Sequence, residues 1–523
     1  MNVLVLNLTR LGDLLQSQPA VSALAANGHR IGLVCLENFA EAAGLMRDVA
    51  RVYPLRGARL LARLDSDWRQ ALAVHREFVD TVRRDFVPDL VINLTPSQPA
   101  RLLARGFGAP RIAGFALDEY GFNADTSLWA AFLQLAGTTR GASPFNIVDM
   151  FRRIAGPEAV GGPVSSGLRG PEAVEREKAR ERLLAGLPSA PERGFVAVQL
   201  GASEDRRRWP VESFVHVAQG LARQGFAPVL LGTAVERPLA ERFMAKCAAP
   251  AGDLVGATGL RELAAVLAEC SLLITNDTGT MHLAAGLGVP CLAAFLCTAQ
   301  PWDTGPYLPG CLCLEPDVDC HPCSFGRDCP NGHACRHAMD PDGVLALAEA
   351  MLGLRPFEAL RTQGTRVWRT VMGPDGLLDL ESISGHEASD RARLIRVQRA
   401  LLRPYLDGDA LPEARRETAL SPVAAQELSA ALNEALSLLV LLERQGELLL
   451  RDPIASMKTK FLGTWQRVRA SLENCERLAQ LAALWTFEAE RPGLDLPGIL
   501  ALASRFAHLL RRFNDSIAGT GIA

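Results

Sequence analysis

The sequence predicts an α/β protein: two doubly wound domains followed by an extra all-α C-terminal domain. Three observations lead there. Short apolar runs of strand type alternate with helical stretches, and they do so twice, on either side of a Gly- and Pro-rich break at residues 156–171. Near residue 355 the alternation stops, and apolar residues then recur at three- and four-residue steps with charges between them. With 523 residues and 48% hydrophobic content, the chain is too long for one core and reads as globular.

Charge and hydropathy narrow the function classes. A net charge of −3 argues against general nucleic-acid binding. No uninterrupted apolar run reaches the roughly 18 residues needed to span a bilayer. The apolar N-terminus is interrupted by Arg10 and Asp13 before a signal-peptide core can form. A cytoplasmic protein is expected, with any membrane contact peripheral.

The elements follow in order. Residues 2–8 (NVLVLNL) read as a strand, then comes Thr9-Arg10-Leu11-Gly12-Asp13, then a helix over 14–26. Gly12 is expected to permit a tight turn and Asp13 to stand at the helix start. Further strands are expected at 31–36, 90–93 and 111–115. Ligands of such sheets bind at the carboxyl ends of the strands, where Thr9, Arg10, Asp13 and Thr95 stand. After the break, strands are expected at 195–200, 228–231, 254–255, 272–275 and 289–295, with helices at 211–224, 260–269, 280–287 and 341–352. The domains are therefore 1–155, 172–355 with a Cys-rich loop at 311–337, and 356–523. In the last of these strand signals vanish, and helices are expected at 387–405, 421–450, 457–490 and 497–513.

One stretch organises the rest, LLITNDTGTMHLAAGLGVP at 272–290. A strand turning sharply into a helix points free backbone N–H groups, and the positive end of the helix dipole, at whatever sits above the turn. Asp277 and Thr278 add acceptors, and His282 lies one turn on. The same spacing also reads as an ordinary βα turn capped by Asp277. The run Asp-Thr-Gly-x-x-His-Leu-Ala-Ala closed by Gly-Val-Pro resembles the nucleotide-sugar motif of the ADP-heptose:lipopolysaccharide heptosyltransferases, glycosyltransferase family 9. The resemblance covers about residues 1–355 and implies a GT-B arrangement, two Rossmann-like domains with a cleft between them. It does not explain the helical remainder.

Glycosyl transfer needs a held and neutralised leaving diphosphate, a base for the acceptor hydroxyl, and alignment of both across the anomeric carbon. For the diphosphate the candidates are the Asp277-Thr278-Gly279 turn, His282, the Ser203 hydroxyl and Arg207 as a fixed cation. The family usually has a lysine two residues before Trp-Pro, where this chain has Arg207, a planar fork in place of a point charge. Arg206 to Arg208 also read as a solvated basic run. The resemblance puts a ribose contact at Glu236, which equally reads as a helix-terminal carboxylate complementing the dipole. Thr258 is a candidate for lining the base. Leu-Gly-Asp near the start resembles the family motif carrying the general base, Asp13. Its helix terminus is expected to hold its pKa low; a simple N-cap is the other reading. His282 is the alternative base or a packed histidine. Thr9, Arg10 and Thr95 are the acceptor-side candidates.

Cys320, Cys323, Cys329 and Cys335, spaced C-x2-C-x5-C-x5-C, supply enough thiolates for a tetrahedral structural zinc or iron site, or stand reduced in a surface loop. The autotransporter branch of the family has an iron-binding loop of this sort with different spacing. Cys35, Cys247, Cys270, Cys291 and Cys297 sit in apolar runs and read as core. No cofactor is expected for the chemistry itself. The leading expectation is an inverting transferase moving a sugar, heptose from ADP-heptose, to a lipopolysaccharide core or other glycan. The alternatives are a protein acceptor recognised by the helical region, or a non-catalytic nucleotide-sugar binder.

Overall fold

The computed structural model describes all residues except 59–61, 63–66, 139–142, 162–166, 358–361, 414–419, 492 and 518–523. The chain divides into two compact units, Met1–Leu117 with Phe145–Gly385, and Asp118–Pro144 with His386–Ala523.

The first unit holds two sheets. In the first, β1 (Asn2–Leu6), β2 (Arg30–Leu36), β3 (Val49–Leu55), β4 (Leu90–Asn93) and β5 (Arg111–Gly114) run parallel in the order β3-β2-β1-β4-β5. β1 is apolar at nearly every position because helices cover both faces of a parallel sheet; Val3 to Leu6 are almost wholly buried. The order reverses between β1 and β4, so the first crevice opens above their carboxyl ends.

The second sheet has β6 (Phe195–Gln199), β7 (Ala227–Leu231), β8 (Gly252–Asp253), β9 (Cys270–Asn276), β10 (Cys291–Ala294), β11 (Leu312–Pro316), β12 (Thr365–Met372) and β13 (Leu378–Ser382). Its order is β13-β12-β11-β10-β9-β6-β7-β8, with the reversal between β6 and β9. The last two strands pair antiparallel. They correct the expectation that strands end near 355: the hairpin edges the second sheet, and the all-α region begins at His386. Trp368 on β12 is buried and donates its Nε1–H to the buried Glu315 at 2.8 Å, fixing the hairpin to β11. The expected strand at 254–255 lies two residues upstream, as β8.

The 162–166 part of the expected linker lies outside the described residues. Its described end is pinned: Leu168 N–H donates to the Gly286 carbonyl and Arg169 N–H to the Leu45 carbonyl, both at 2.7 Å.

The second unit is helical: Leu128–Thr138, Asp390–Asp407, Pro422–Arg451, Ala455–Glu473, Ala479–Ala489 and Leu496–Ile517. It takes in 118–144, which the sequence reading assigned to the first domain, and it splits the expected 457–490 helix in two. Trp485 is fully buried, with its ring 5.6 Å from Trp465 and 5.3 Å from Phe506. Ser421 caps the Pro422–Arg451 helix by accepting from Ala424 N–H, and proline at the first position gives up no bond. That helix is the one among the described residues long and apolar enough, by length and composition, to cross a membrane. Its buried positions, Ala424, Leu428, Leu432, Ala435, Leu438, Leu439, Leu442 and Gly446, recur at helical spacing and form a single stripe.

Candidate functional site

The two crevices meet through two short helices, Leu11–Gln16 and Gly279–Gly286, each opening at the carboxyl end of a strand. A Cβ on Gly12 would lie 2.5 Å from His282 Cδ2, and one on Gly279 would lie 3.2 Å from Leu11 Cδ2. Gly12 is inside the helix and not in the left-handed region, so its use is close approach to His282 and not the expected tight turn.

Asp13 is the third residue of its helix, behind the N-cap Arg10, and not the cap itself. Its carboxylate accepts from the Arg10 backbone N–H and from Thr9, half of a capping box. Burial nevertheless pushes its pKa above the ordinary carboxylate value, and the charge of Asp277 adds to the rise. This corrects the expectation of a low pKa: desolvation outweighs the helix terminus.

Around it, Asn7 donates from Nδ2 to the Asp13 carbonyl at 3.1 Å and accepts from Thr9 N–H at 3.2 Å. Thr95 is buried and its hydroxyl accepts from Leu8 N–H at 2.8 Å, joining the ends of β1 and β4. It therefore shapes the crevice as much as it lines it. Arg10 is exposed.

On the second sheet, three turns converge. The N-cap of the Gly279–Gly286 helix is Thr278, with no side-chain capping bond, so Asp277 is not a cap. Asp277 instead takes Arg207 Nη2 in an ion pair whose side chains are each only 10% exposed. Arg207 Nη1 donates to Ser203 Oγ at 3.0 Å, while its buried Nε has no hydrogen-bond partner. Arg207 is thus neither a solvated basic residue nor a lone cation. Its charge is compensated, and its buried Nε–H is left unpaired. Asn276 ties the turns together, accepting from Trp209 N–H at 2.9 Å and donating to the Leu200 and Gly201 carbonyls.

Glu236 closes a capping box with Thr233, taking its backbone N–H at 2.6 Å, and also accepts from Gln199 Nε2 at 3.1 Å. Its carboxylate lies against Gly201 and Gly232, where a Cβ would come within 1.2 and 2.6 Å of its oxygens. Gln199 Oε1 accepts from Thr280. One polar network thus runs along the carboxyl ends of β6, β7 and β9. Gln199 and Asn276 are its centres; both are polar residues ending buried strands, which was the signal in the sequence. Thr258 is half-buried just before the Leu260–Ala268 helix, away from these bonds. Its helix is capped from the first half, where the Glu41 carboxylate accepts from Leu260 N–H at 3.0 Å and Arg261 N–H at 3.3 Å.

Burial lowers the pKa of His282 to about 4, opposed by Asp277. The imidazole is neutral at physiological pH, and its buried Nδ1 has no partner.

The cysteine loop does not gather its four expected ligands. Among the described residues no group of three or more His, Cys, Asp or Glu side chains is arranged to hold a metal. Cys320 is exposed and accepts from Asn331, and Cys329 accepts from His333 N–H. Cys323 and Cys335 hydrogen-bond instead to Cys297, which the sequence reading placed in the core. Those bonds lower Cys323 to about 6 and Cys335 to about 7, and push Cys297 far up. Cys323 N–H also donates to the Cys297 carbonyl at 2.8 Å, and Cys297 Sγ lies 2.9 Å from the Arg206 carbonyl. Arg336 donates to the Arg208 carbonyl at 2.9 Å and pairs with Asp205. The loop therefore buttresses the 205–208 segment that presents Arg207.

With this geometry in view, comparison with known proteins is direct. The profile of "Glycosyltransferase family 9 (heptosyltransferase)" matches residues 89–334. Lipopolysaccharide heptosyltransferase 1 of Pseudomonas aeruginosa is 29% identical over 332 residues, 62% of this chain and 86% of that protein. Lipooligosaccharide heptosyltransferase 2 of Haemophilus influenzae is 32% identical over 129 residues, 23% of this chain and 36% of that protein. Among solved structures, the family 9 glycosyltransferase of Veillonella parvula superposes with TM-score 0.55 at 22% identity, covering 68% of this chain and 98% of that one. ADP-heptose lipopolysaccharide heptosyltransferase II of Escherichia coli gives TM-score 0.50 at 19% identity, with 67% and 98% covered. These two likenesses establish the GT-B fold of the first unit. Residues 89–334 thus form a glycosyltransferase family 9 domain, and the chain is a heptosyltransferase-like glycosyltransferase.

Proposed function

We propose that the chain transfers heptose from ADP-heptose, with inversion, to a sugar hydroxyl of a lipopolysaccharide core. The observation that carries this reading is the meeting of the two crevices: the helix that carries Asp13 at the β1 end packs, at Gly12, against His282 of the helix that opens at the β9 end. In the reaction the acceptor oxygen attacks the anomeric carbon while Asp13 takes its proton. The bond from that carbon to the ADP phosphate oxygen breaks, and ADP leaves with the electron pair. A carboxylate with a raised pKa is the stronger base for this task, provided it is still ionised.

The leaving diphosphate sits over the Asp277-Thr278-Gly279 turn. Backbone N–H groups of the Gly279–Gly286 helix, the Thr278 and Ser203 hydroxyls and the unpaired Arg207 Nε–H donate to it. Glu236 takes a ribose hydroxyl with its remaining lone pairs, Thr258 lines the base, and His282 is a neutral packed residue next to the phosphate. Thr9, Arg10 and Thr95 form the acceptor side. No step is routed through a metal. The enzyme works as a peripheral protein at the cytoplasmic face of the inner membrane, where a lipid-borne acceptor is found. The names and activities of the relatives above support donor and acceptor class.

Incubation of the pure protein with ADP-heptose and a heptose-deficient lipopolysaccharide core tests the proposal. The expected result is ADP release coupled to transfer, in EDTA as well as in magnesium. Slow donor hydrolysis without transfer to this core, but with transfer to a protein, would move the acceptor assignment. No hydrolysis and no ADP binding would overturn the reading.

A further inference from the structure

The helical unit has one end that its own packing leaves uncovered. The last buried residue of the Pro422–Arg451 helix is Gly446, and the first buried residue of the Ala455–Glu473 helix is Phe461. No residue from 447 to 460 is buried, so the last turn of one helix, the connection and the first turn of the next project from the bundle. A projecting tip in water should be polar. This one reads Leu448-Leu449-Leu450, then Ile454 and Met457. Leu448 is 49%, Leu450 53% and Ile454 49% exposed, with Leu441 at 40% and Leu462 at 48% beside them. Among the described residues, eighteen large hydrophobic side chains are exposed, and five of them fall in this segment of 22 residues. Three consecutive leucines spread over most of the last turn, which is more than one protein face takes.

Charge says what it meets. From 448 to 462 the tip carries Arg451, Lys458 and Lys460 against Asp452 alone, in a chain whose net charge is −3. Glu447 lies just below. Lys458 and Lys460 are two of only four lysines in the chain. Arg451, Lys458 and Lys460 are all exposed, and among the described residues none of them makes an ion pair. Apolar side chains at an exposed tip, ringed by long unpaired cations that can keep their charged ends at headgroup level, fit the interface of an anionic bilayer.

We propose that the 447–462 tip is a membrane-docking element that inserts its leucines and Ile454 into an anionic bilayer surface. Its purpose, to bring the enzyme to a lipid-borne acceptor, rests on the function proposed above; its geometry does not. The test is co-sedimentation of the full-length protein with phosphatidylcholine vesicles, with and without phosphatidylglycerol. The protein is expected to sediment with the anionic vesicles, less so at high salt, and weakly with the neutral ones. Leu450→Glu with Ile454→Glu should abolish sedimentation. Lys458→Gln with Lys460→Gln should weaken anionic binding by about 30-fold. All four sites are exposed, and a thermal melt checks that folding is kept.

Wild-type protein that stays in the supernatant, or variants that sediment like wild type, would overturn the inference. So would self-association of the wild type, lost in the Leu450→Glu/Ile454→Glu variant, without vesicle binding: a second copy would then cover the tip. ADP binding and transfer to a soluble acceptor fragment should persist in every tip variant. An active enzyme that ignores vesicles sinks only this inference, and a vesicle binder without transferase activity sinks only the proposed function.

Discussion

The two crevices of the first unit are built in opposite ways. On the second sheet, Arg207 holds Asp277 and Ser203, Gln199 holds Glu236 and Thr280, Asn276 ties the backbone of the turns, and the buried cation and carboxylate cancel. On the first sheet, Asp13 is desolvated with two local hydrogen bonds, and its pKa is raised. A site that must hold a diphosphate gains by having its donors already in place, because fixed donors need no rearrangement as charge develops. A general base gains from being a poor home for its own charge. On the proposed function, the difference between the halves is the difference between holding and reacting.

The largest expected effect tests the reacting half. Asp13→Asn keeps shape and removes basicity, so turnover should fall by about 10²–10⁴-fold with ADP affinity nearly unchanged. Stability should move the other way. A carboxyl whose folded pKa is raised above the unfolded value of 3.8 stabilises the fold below that value, and loses this stabilisation as pH rises through the folded pKa. At neutral pH the ionised Asp13 is a net cost, so the Asn variant should melt higher, and the gap should close in acid. For the same reason the acid limb of kcat/KM should lie above the ordinary carboxylate range of about 3.9. A variant turning over within a few-fold of wild type would make Asp13 structural.

The holding half breaks differently. Arg207→Ala leaves Asp277 buried without its cation and should cost about 3 kcal/mol of stability, with ADP binding lost as well. Arg207→Lys keeps a charge beside Asp277 but cannot reach Ser203 in the same geometry, so it should retain most stability and lose part of the ADP affinity. Equal loss in both variants would show that charge alone matters there.

Much of this was legible in the sequence, and the misses share a cause. Most strands of both halves, the Asp277-to-Gly279 turn and the position of Asp13 follow from apolar runs ending in polar or Gly residues, which are local signals, although β3 and β11 were missed. The β12–β13 hairpin carries its own local signal, the Gly373-Pro374-Asp375-Gly376 turn between apolar strands, but the helical periods that follow mask it. What could not be read was partnership across the chain. Asp277 pairs with an arginine 70 residues earlier, and Cys297 joins Cys323 and Cys335 in place of the four-cysteine set. Burial, which sets the pKa of Asp13, is likewise a property of the assembled halves.

The thiol trio gives the next effect. With the Cys297 thiol lowering both Cys323 and Cys335, the pair shares thiolate character at neutral pH. Cys323 is the more exposed, so iodoacetamide should label it ahead of the fully buried Cys291. Labelling should disturb ADP binding, because the loop buttresses the 205–208 segment. Elemental analysis should find less than one zinc or iron per chain. Stoichiometric metal lost on Cys323→Ser would restore the four-thiolate reading.

The smallest effects separate packing from charge in the way the halves are joined. At the Gly12–His282 crossing the contact is steric: an added methyl would stand 2.5 Å from the ring. Gly12→Ala should cost about 1–3 kcal/mol, at any salt concentration, and slow turnover because Asp13 is the next residue. At the other junction Glu41, an exposed residue of the first half, caps the Leu260–Ala268 helix of the second through two N–H bonds. A carboxylate there is favoured by the helix dipole, but water competes for it and salt screens it. Glu41→Ala should therefore cost about 1 kcal/mol or less, and the difference from wild type should shrink as salt rises. Urea unfolding of both variants at low and high salt reads the contrast. If Glu41→Ala costs as much as Gly12→Ala and is indifferent to salt, the halves are joined at that cap by more than electrostatics.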